Sequence, residues 1–246
     1  MNVQKLPWAG IRVTSGTSAV VIDPLYNFPT KYGSSNEPLF PLRAFGPANA
    51  VLITHEHGDH FDPAAIIDAY GPNVPVFLPA ESVAVALAAG LTNATGASVG
   101  EAFRIGAFTA TATYSVDGVG DCQVAWVVDD GERRLFHGGD TLWHGYWWKI
   151  AKAFGPFDAV CLPVNGAILE RPDMTPFSGM PITLIPEQAV AAAVVLGAKR
   201  LVPIHHTAIH KPPLYRQTDD WQGRLRSSAD GKMEVALLAS KESITL

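Results

Sequence analysis

Between Thr54 and His60 the chain reads Thr54-His55-Glu56-His57-Gly58-Asp59-His60, which packs three histidines and an aspartate into one short run. The run follows Ala50-Val51-Leu52-Ile53, an apolar stretch that reads as a buried strand. The polar residues therefore sit at a strand end, where a loop can gather them around one point. His55 and His57, two apart, can face the same way, and Gly58 lets the backbone turn before Asp59 and His60. Neutral imidazoles together with a carboxylate are ligands for zinc or a similar divalent ion. A single histidine in such a place is more often structural, but four donors at this density point to a metal.

All eight histidines fall in three segments: 55, 57 and 60; 137 and 144; 205, 206 and 210. The second segment lies beside Phe136-His137-Gly138-Gly139-Asp140-Thr141, and the third follows the apolar run Leu201-Val202-Pro203-Ile204. The spacing H-x-H-x-D-H, the Gly-Asp-Thr segment and the closing strand before His205 together resemble the metallo-β-lactamase superfamily. Within it, the short loops and the tail Glu234 to Leu238 and Ser243 to Leu246 look most like the branch of L-ascorbate-6-phosphate lactonase and N-acyl-phosphatidylethanolamine phospholipase D.

The resemblance covers nearly the whole chain and implies an α/β fold, a four-layered αββα sandwich with a one- or two-metal centre at one edge. Carried over residue by residue, it implies that Asp59, His60 and His205 hold one metal, with Asp140 bridging to a second. That second metal would take His55, His57, Asp140 and one more histidine from the strand between them. No histidine occurs from residue 61 to residue 136. The matching stretch is Thr111-Ala112-Thr113-Tyr114-Ser115-Val116-Asp117. Tyr114 or Asp117 can supply an oxygen ligand, a phenol of ordinary pKa about 10 being ionisable by a metal. Alternatively, His206 or His144 swings in, or the first site stays weak and the protein keeps nearer one metal than two.

The implied cofactor is a divalent metal, zinc first, with manganese or iron as substitutes. A metal lowers the pKa of bound water to about 7. The expected activity is therefore hydrolysis of an ester, lactone, amide or phosphodiester by metal-bound hydroxide. Asp59 is the catalytic residue that orients the hydroxide and takes a proton, and His206 or His210 is a candidate to protonate the leaving group. Two alternatives stand beside this reading: an iron-dependent oxidoreductase of the same fold, and a metal-binding regulatory protein without turnover.

Composition narrows the rest. A chain of 246 residues, 48% hydrophobic and 17% charged, can form one large core, and residues 1–246 are expected to be a single domain. A net charge of −5 without a basic run excludes a nucleic-acid groove and leaves a small-molecule substrate. No apolar run reaches the roughly 18 residues of a membrane span, and no secretory leader is apparent, so the expected location is cytoplasmic. Cys122 and Cys161 lie in separate apolar runs and read as buried free thiols.

Strands are expected at 11–13, 19–22, 76–78, 108–115, 124–128, 133–137, 159–164 and 201–204, and helices at 63–69, 80–89, 143–154 and 186–196. Residues 25–49 form a long Pro- and Gly-rich connection. Its Tyr26, Phe28, Tyr32 and Phe40 either line a substrate entrance or pack as the loop's own small core.

Overall fold

Strands with unbroken apolar runs have to be covered on both faces, and the computed structural model, which describes residues 1–246, shows how. The first half of the chain builds one sheet from β1 (Asn2–Lys5), β2 (Ile11–Ser15), β3 (Ser18–Ile22), β4 (Ala50–Leu52), β5 (Val76–Pro79) and β6 (Ala94–Ala97), adjacent in that order. The second half builds the other sheet. Its β7 (Ala102–Ile105), β8 (Phe108–Tyr114), β9 (Val124–Asp129) and β10 (Arg134–His137) form an antiparallel meander. It continues in parallel through β11 (Ala159–Pro163), past the short β12 (Ile168–Leu169), to β13 (Arg200–Ile204). A hairpin partner for β12 is β14 (Tyr215–Arg216); β15 (Glu234–Val235) then edges the second sheet, and β16 (Ser243–Thr245) returns to pair with β1.

Three apolar layers follow from the two-residue period of the strands. In β3, Val20 and Ile22 face the other sheet, meeting Trp126, Val128 and Phe108, whereas Val21 faces outward. In β11, Ala159 and Cys161 point between the sheets, and Val160 and Leu162 point outward. Helices α1 (Pro63–Tyr70) and α2 (Val83–Ala88) cover the outer face of the first sheet through Ile66 and Ala86. Helices α3 (Trp147–Phe154), α4 (Pro186–Val195) and α5 (Trp221–Ala229) cover the second through Trp147, Ile150, Val190 and Leu225. Each such side chain contributes roughly 1.5–3 kcal/mol when fully buried. The order is helix, sheet, sheet, helix, the expected αββα sandwich.

Several details differ from the sequence reading. Helix α3 begins at Trp147, four residues later than periodicity predicts, and leaves Trp143 partly exposed. Residues 80–82 form a 3-10 turn before α2. The tail strand stops at Val235, leaving Leu237 and Leu238 outside it. Both cysteines are free, but only Cys161 is buried; Cys122 is exposed on the loop between β8 and β9, because the apolar run there starts only at Val124. The aromatics of the 25–49 connection divide between two contacts. Phe40 and Phe45 pack edge to face at 6.3 Å, while Tyr32 turns inward against Tyr215 at 5.4 Å. Asp62 ties this connection to α1: Oδ1 accepts from the Ala65 amide, and Oδ2 accepts from the amides of Tyr26 and Asn27. No helix is long and apolar enough to cross a membrane.

Candidate metal centre

Each chemically interesting residue follows the carboxyl end of a strand, and those ends meet at one edge of the sandwich. Asp23 follows β3, the His55–His60 run follows β4, Asp117 follows β8, Asp140 follows β10, Asn165 follows β11 and His205 follows β13. In open α/β sheets this edge is where ligands bind. The backbone there is strained: Trp8 (φ 57°), Asp23 (φ 45°) and His205 (φ 56°) all adopt the left-handed region without being glycine. Such conformations cost of order 1–3 kcal/mol each and cluster at functional sites.

Donor atoms of Asp59, His60, Asp140 and His205 lie within 4.8 Å of one another, and all four residues are buried. Asp140 Oδ1 stands 3.0 Å from His60 Nε2 and 2.9 Å from His205 Nε2. Asp59 Oδ2 is 3.9 Å from each of the same two nitrogens and accepts a hydrogen bond from Trp8 Nε1 at 3.0 Å. The Trp8 ring also packs against His205, with centroids 4.0 Å apart.

A second group consists of His55, His57 and Asp117, again within 4.8 Å of one another. Asp140 faces this group with its other oxygen, Oδ2, 4.0 Å from His55 Nε2. Asp117 thus joins the two histidines for which the sequence offers no third. Its Oδ1 is fixed by the amides of Val119 (2.6 Å) and Gly120 (3.0 Å), which leaves Oδ2 for the site. Gly118 makes that turn possible, since a Cβ there would lie 2.1 Å from the Ile182 carbonyl oxygen. Gln123 clamps the Asp140 backbone, donating to its carbonyl and accepting from its amide, each at 3.1 Å.

Every histidine in the two groups has its remaining ring nitrogen anchored, as expected for metal-ligating imidazoles. His60 Nδ1 donates to Asp23 Oδ2 at 2.9 Å, and His205 Nδ1 to Asn165 Oδ1 at 3.1 Å. His55 Nδ1 donates to Thr54 Oγ1 at 3.0 Å, and Thr54 in turn donates to Asp23 Oδ2 at 2.6 Å. His57 Nε2 donates to Asp121 Oδ2 at 2.6 Å. The inward atoms tell the complementary story. His55 Nε2, His60 Nε2, His205 Nε2 and Asp140 Oδ1 are buried without an aligned hydrogen bond. Buried polar atoms are rarely left unpaired, and these four, all turned into the two donor groups, fit bound cations.

Electrostatics agree. Burial keeps the His55 imidazole neutral, its pKa well below the usual value. Burial alone would raise the Asp140 carboxyl, but His205 and His60 outweigh it and hold the group well below the carboxylate range. Burial would likewise lower His60, yet Asp140 and Asp23 raise it well above the ordinary histidine value. Carboxylates gathered around buried imidazoles mark a place that attracts positive charge. Burial raises the Asp117 carboxyl, against the pull of the Val119 amide.

The other residues considered from sequence lie elsewhere. Tyr114 stacks on Tyr146 at 4.3 Å on the helix-facing side of β8. His206 stacks on Trp221 at 4.4 Å, and His144 on Trp147 at 4.2 Å. Burial drives the pKa of His206 to about 3 and of His144 to about 4. His210 is exposed and accepts from the Gln217 amide, so neither His206 nor His210 lines the metal cleft. His137 is buried and donates to the Ala9 carbonyl oxygen, and Glu56 is exposed. Sequence reasoning missed Trp8, Asp23, Asp121 and Asn165. Asp23 and Asn165 did carry a signal, since each is a polar residue ending an apolar strand run, as His55 and His205 do.

Above the donors lies a narrow cleft of about 40 Å³, walled by Tyr32, Tyr215, Val119, Leu169 and Ile182, with Lys31 and Arg171 also lining it. Tyr215 Oη accepts from Asn165 Nδ2 at 3.0 Å, which frees its own proton to point elsewhere. Burial raises the Tyr215 phenol well above its ordinary pKa, so it stays protonated.

A family model described as "Beta-lactamase superfamily domain" matches residues 18–206. A UPF0173 metal-dependent hydrolase of Rubrobacter xylanophilus is 27% identical over 207 residues, covering 78% of this chain and 76% of the relative. Among solved structures, Igni18, a metallo hydrolase from Ignicoccus hospitalis, superposes with a TM-score of 0.71 at 19% identity, covering 99% of this chain and 97% of that one. CmlA, a diiron β-hydroxylase from Streptomyces venezuelae, gives a TM-score of 0.77 at 15% identity, covering all of this chain and 54% of its own.

Proposed function

Because the chain belongs to the beta-lactamase superfamily, we propose that it is a metal-dependent hydrolase of an ester, lactone, amide or phosphodiester, with two divalent ions at the strand-end cluster. The observation that carries this reading is the placement of Asp140, one oxygen toward His60 and His205 and the other toward His55. Asp59, His60 and His205 would hold one ion, His55, His57 and Asp117 the other, with Asp140 shared. Ions held there supply a water nucleophile ionised near pH 7 and polarise the substrate oxygen. The name of the Rubrobacter relative, metal-dependent hydrolase, supports the same assignment.

The protein's own groups do the positioning. Asp59, oriented by Trp8 Nε1, turns the attacking water toward the substrate and accepts its proton. The Tyr215 hydroxyl, kept protonated and oriented by Asn165, donates to the substrate oxygen on which charge develops. Burial of the cluster strengthens each of these interactions relative to water. Asp117, within 4.8 Å of the His55 and His57 donor atoms, supports a complete first group and so a catalytic rather than a regulatory reading.

A panel of ester, lactone, amide and phosphodiester substrates tests this. Hydrolysis of at least one class is expected with zinc, lost on chelation and restored by added metal. Hydrolysis that survives complete metal removal would sink the reading. Tyr215→Phe is expected to lower kcat by about 10²-fold with metal content unchanged; an unaltered kcat would remove Tyr215 from the chemistry.

One observation favours a second reading of the metal. Two histidines and one carboxylate, as in His55, His57 and Asp117, also form the donor set of non-haem iron(II) sites. Iron in the purified protein, with oxygen consumed and no hydrolysis on the panel, would favour that reading over zinc.

A further inference from the structure

Beside the metal cleft lies a second, larger cavity of about 320 Å³. Val119, Leu169 and Ile182 belong to both, so they form a common wall with the donors on one side and the cavity on the other. Its far side comes from the 170–182 segment, through Met174, Pro176 and Met180. Met180 is 67% exposed, and its neighbour Phe177 is 49% exposed, an unusual amount of apolar surface for one short loop. Methionine is unbranched and polarisable and adapts to ligands of varied shape. The volume falls at the lower end of small-molecule sites. No ionisable side chain lines this cavity, whereas the cleft next to it is lined by three carboxylates.

We infer that the Met174–Met180 cavity seats an apolar arm of the substrate while the group to be cleaved lies over the metal donors. The inference rests on the hydrolase reading only for calling the ligand a substrate; the cavity and the wall it shares with the metal cleft stand without it. The cleft has room for a small reacting group and little more, so the rest of any larger molecule must leave it. Its floor is acidic, and Lys31 and Arg171 stand among its lining residues. Neither cavity is enclosed, and the rim between them is apolar, formed by Val119, Leu169 and Ile182, so a molecule can lie across it. Gly118 lets the Asp117–Gly120 turn pack directly on the Ile182 backbone, which sets Val119 and Ile182 side by side in the shared rim. The chemical class is therefore a compound with a hydrolysable polar head and an aliphatic or thioether-compatible tail, rather than a uniformly polar metabolite.

Binding of straight-chain carboxylates to the zinc-loaded protein, measured by calorimetry from acetate to octanoate, tests this without any turnover. Affinity is expected to climb about three- to fourfold per methylene until the cavity is filled, then level off. Met174→Asp and Met180→Asp should flatten the series with metal content unchanged, and Met174→Leu should keep the slope. A flat series in the unmodified protein, or no binding as far as octanoate, overturns the inference. If the slope appears but the substrate panel shows no hydrolysis, the cavity assignment stands and the hydrolase reading fails. If hydrolysis occurs while the series is flat, the hydrolase reading stands and the cavity assignment fails.

Discussion

Asp140→Ala is expected to empty both halves of the metal centre at once. Asp140 is the one residue that faces both donor groups, with Oδ1 about 3 Å from His60 and His205 and Oδ2 4.0 Å from His55. Its truncation leaves three inward imidazole nitrogens in a buried pocket without their shared carboxylate. Loss of a residue that only orients a ligand typically costs 10–100-fold in metal affinity, so loss of the shared ligand should exceed about 100-fold. Metal content after dialysis should fall below one equivalent, and hydrolysis should drop by more than about 100-fold. Asp140→Asn separates charge from shape: it keeps the clamp from Gln123, which acts on the backbone, but removes the negative charge, so metal content should still fall. Metal analysis by mass spectrometry decides the matter. Two equivalents retained in Asp140→Ala would show that Asp140 does not bridge.

The layers were the most legible part of this molecule. Runs such as Ala159 to Val164 and Ala19 to Ile22 are apolar at every position, which only a strand covered on both faces tolerates. Elements with weak alternation escaped notice. β6 (Ala94-Thr95-Gly96-Ala97) carries a glycine, pressed against Ala80, and β7 (Ala102-Phe103-Arg104-Ile105) is largely exposed. Helix α5 was hidden by Gly223 near its start. That glycine is where Asp220 caps the helix, and a Cβ there would lie 2.4 Å from the Asp220 carboxylate. In the centre, the donors that share a short run or follow an apolar strand were readable. The anchors were not, because Asp23, Asn165 and Asp121 reach their histidines across 37, 40 and 64 residues. Trp8 carried no signal at all, since its role depends on a left-handed turn that nothing in Leu6-Pro7-Trp8 announces.

The stretch after β8 bears on how the first donor group is completed. Sequence offered Tyr114, Asp117, a displaced histidine or nothing, and geometry favours Asp117. Along β8 the side chains alternate, and Tyr114 falls on the helix-facing side; three residues later the chain has left the strand and turned at Gly118. A carboxylate is shorter than an imidazole, so the turn has to bring the backbone in, which the bare Gly118 permits. With His55, His57, Asp117 and the shared Asp140, the first group reaches the four donors usual for zinc. Two equivalents of metal are therefore expected after mild dialysis, rather than the single equivalent a vacancy would give. Asp117→Ala should lose one equivalent, retain the ion at Asp59, His60 and His205, and lower hydrolysis by at least about 100-fold. Asp117→His, which supplies the histidine of the family pattern, should recover the second equivalent if the turn admits the larger ring. Tyr114→His should change neither metal content nor rate, because that side chain stacks on Tyr146 away from the centre. The opposite pattern, with one ion in the unmodified protein, none lost in Asp117→Ala and one gained in Tyr114→His, would return the vacancy to Tyr114 and leave Asp117 with no part in the metal centre.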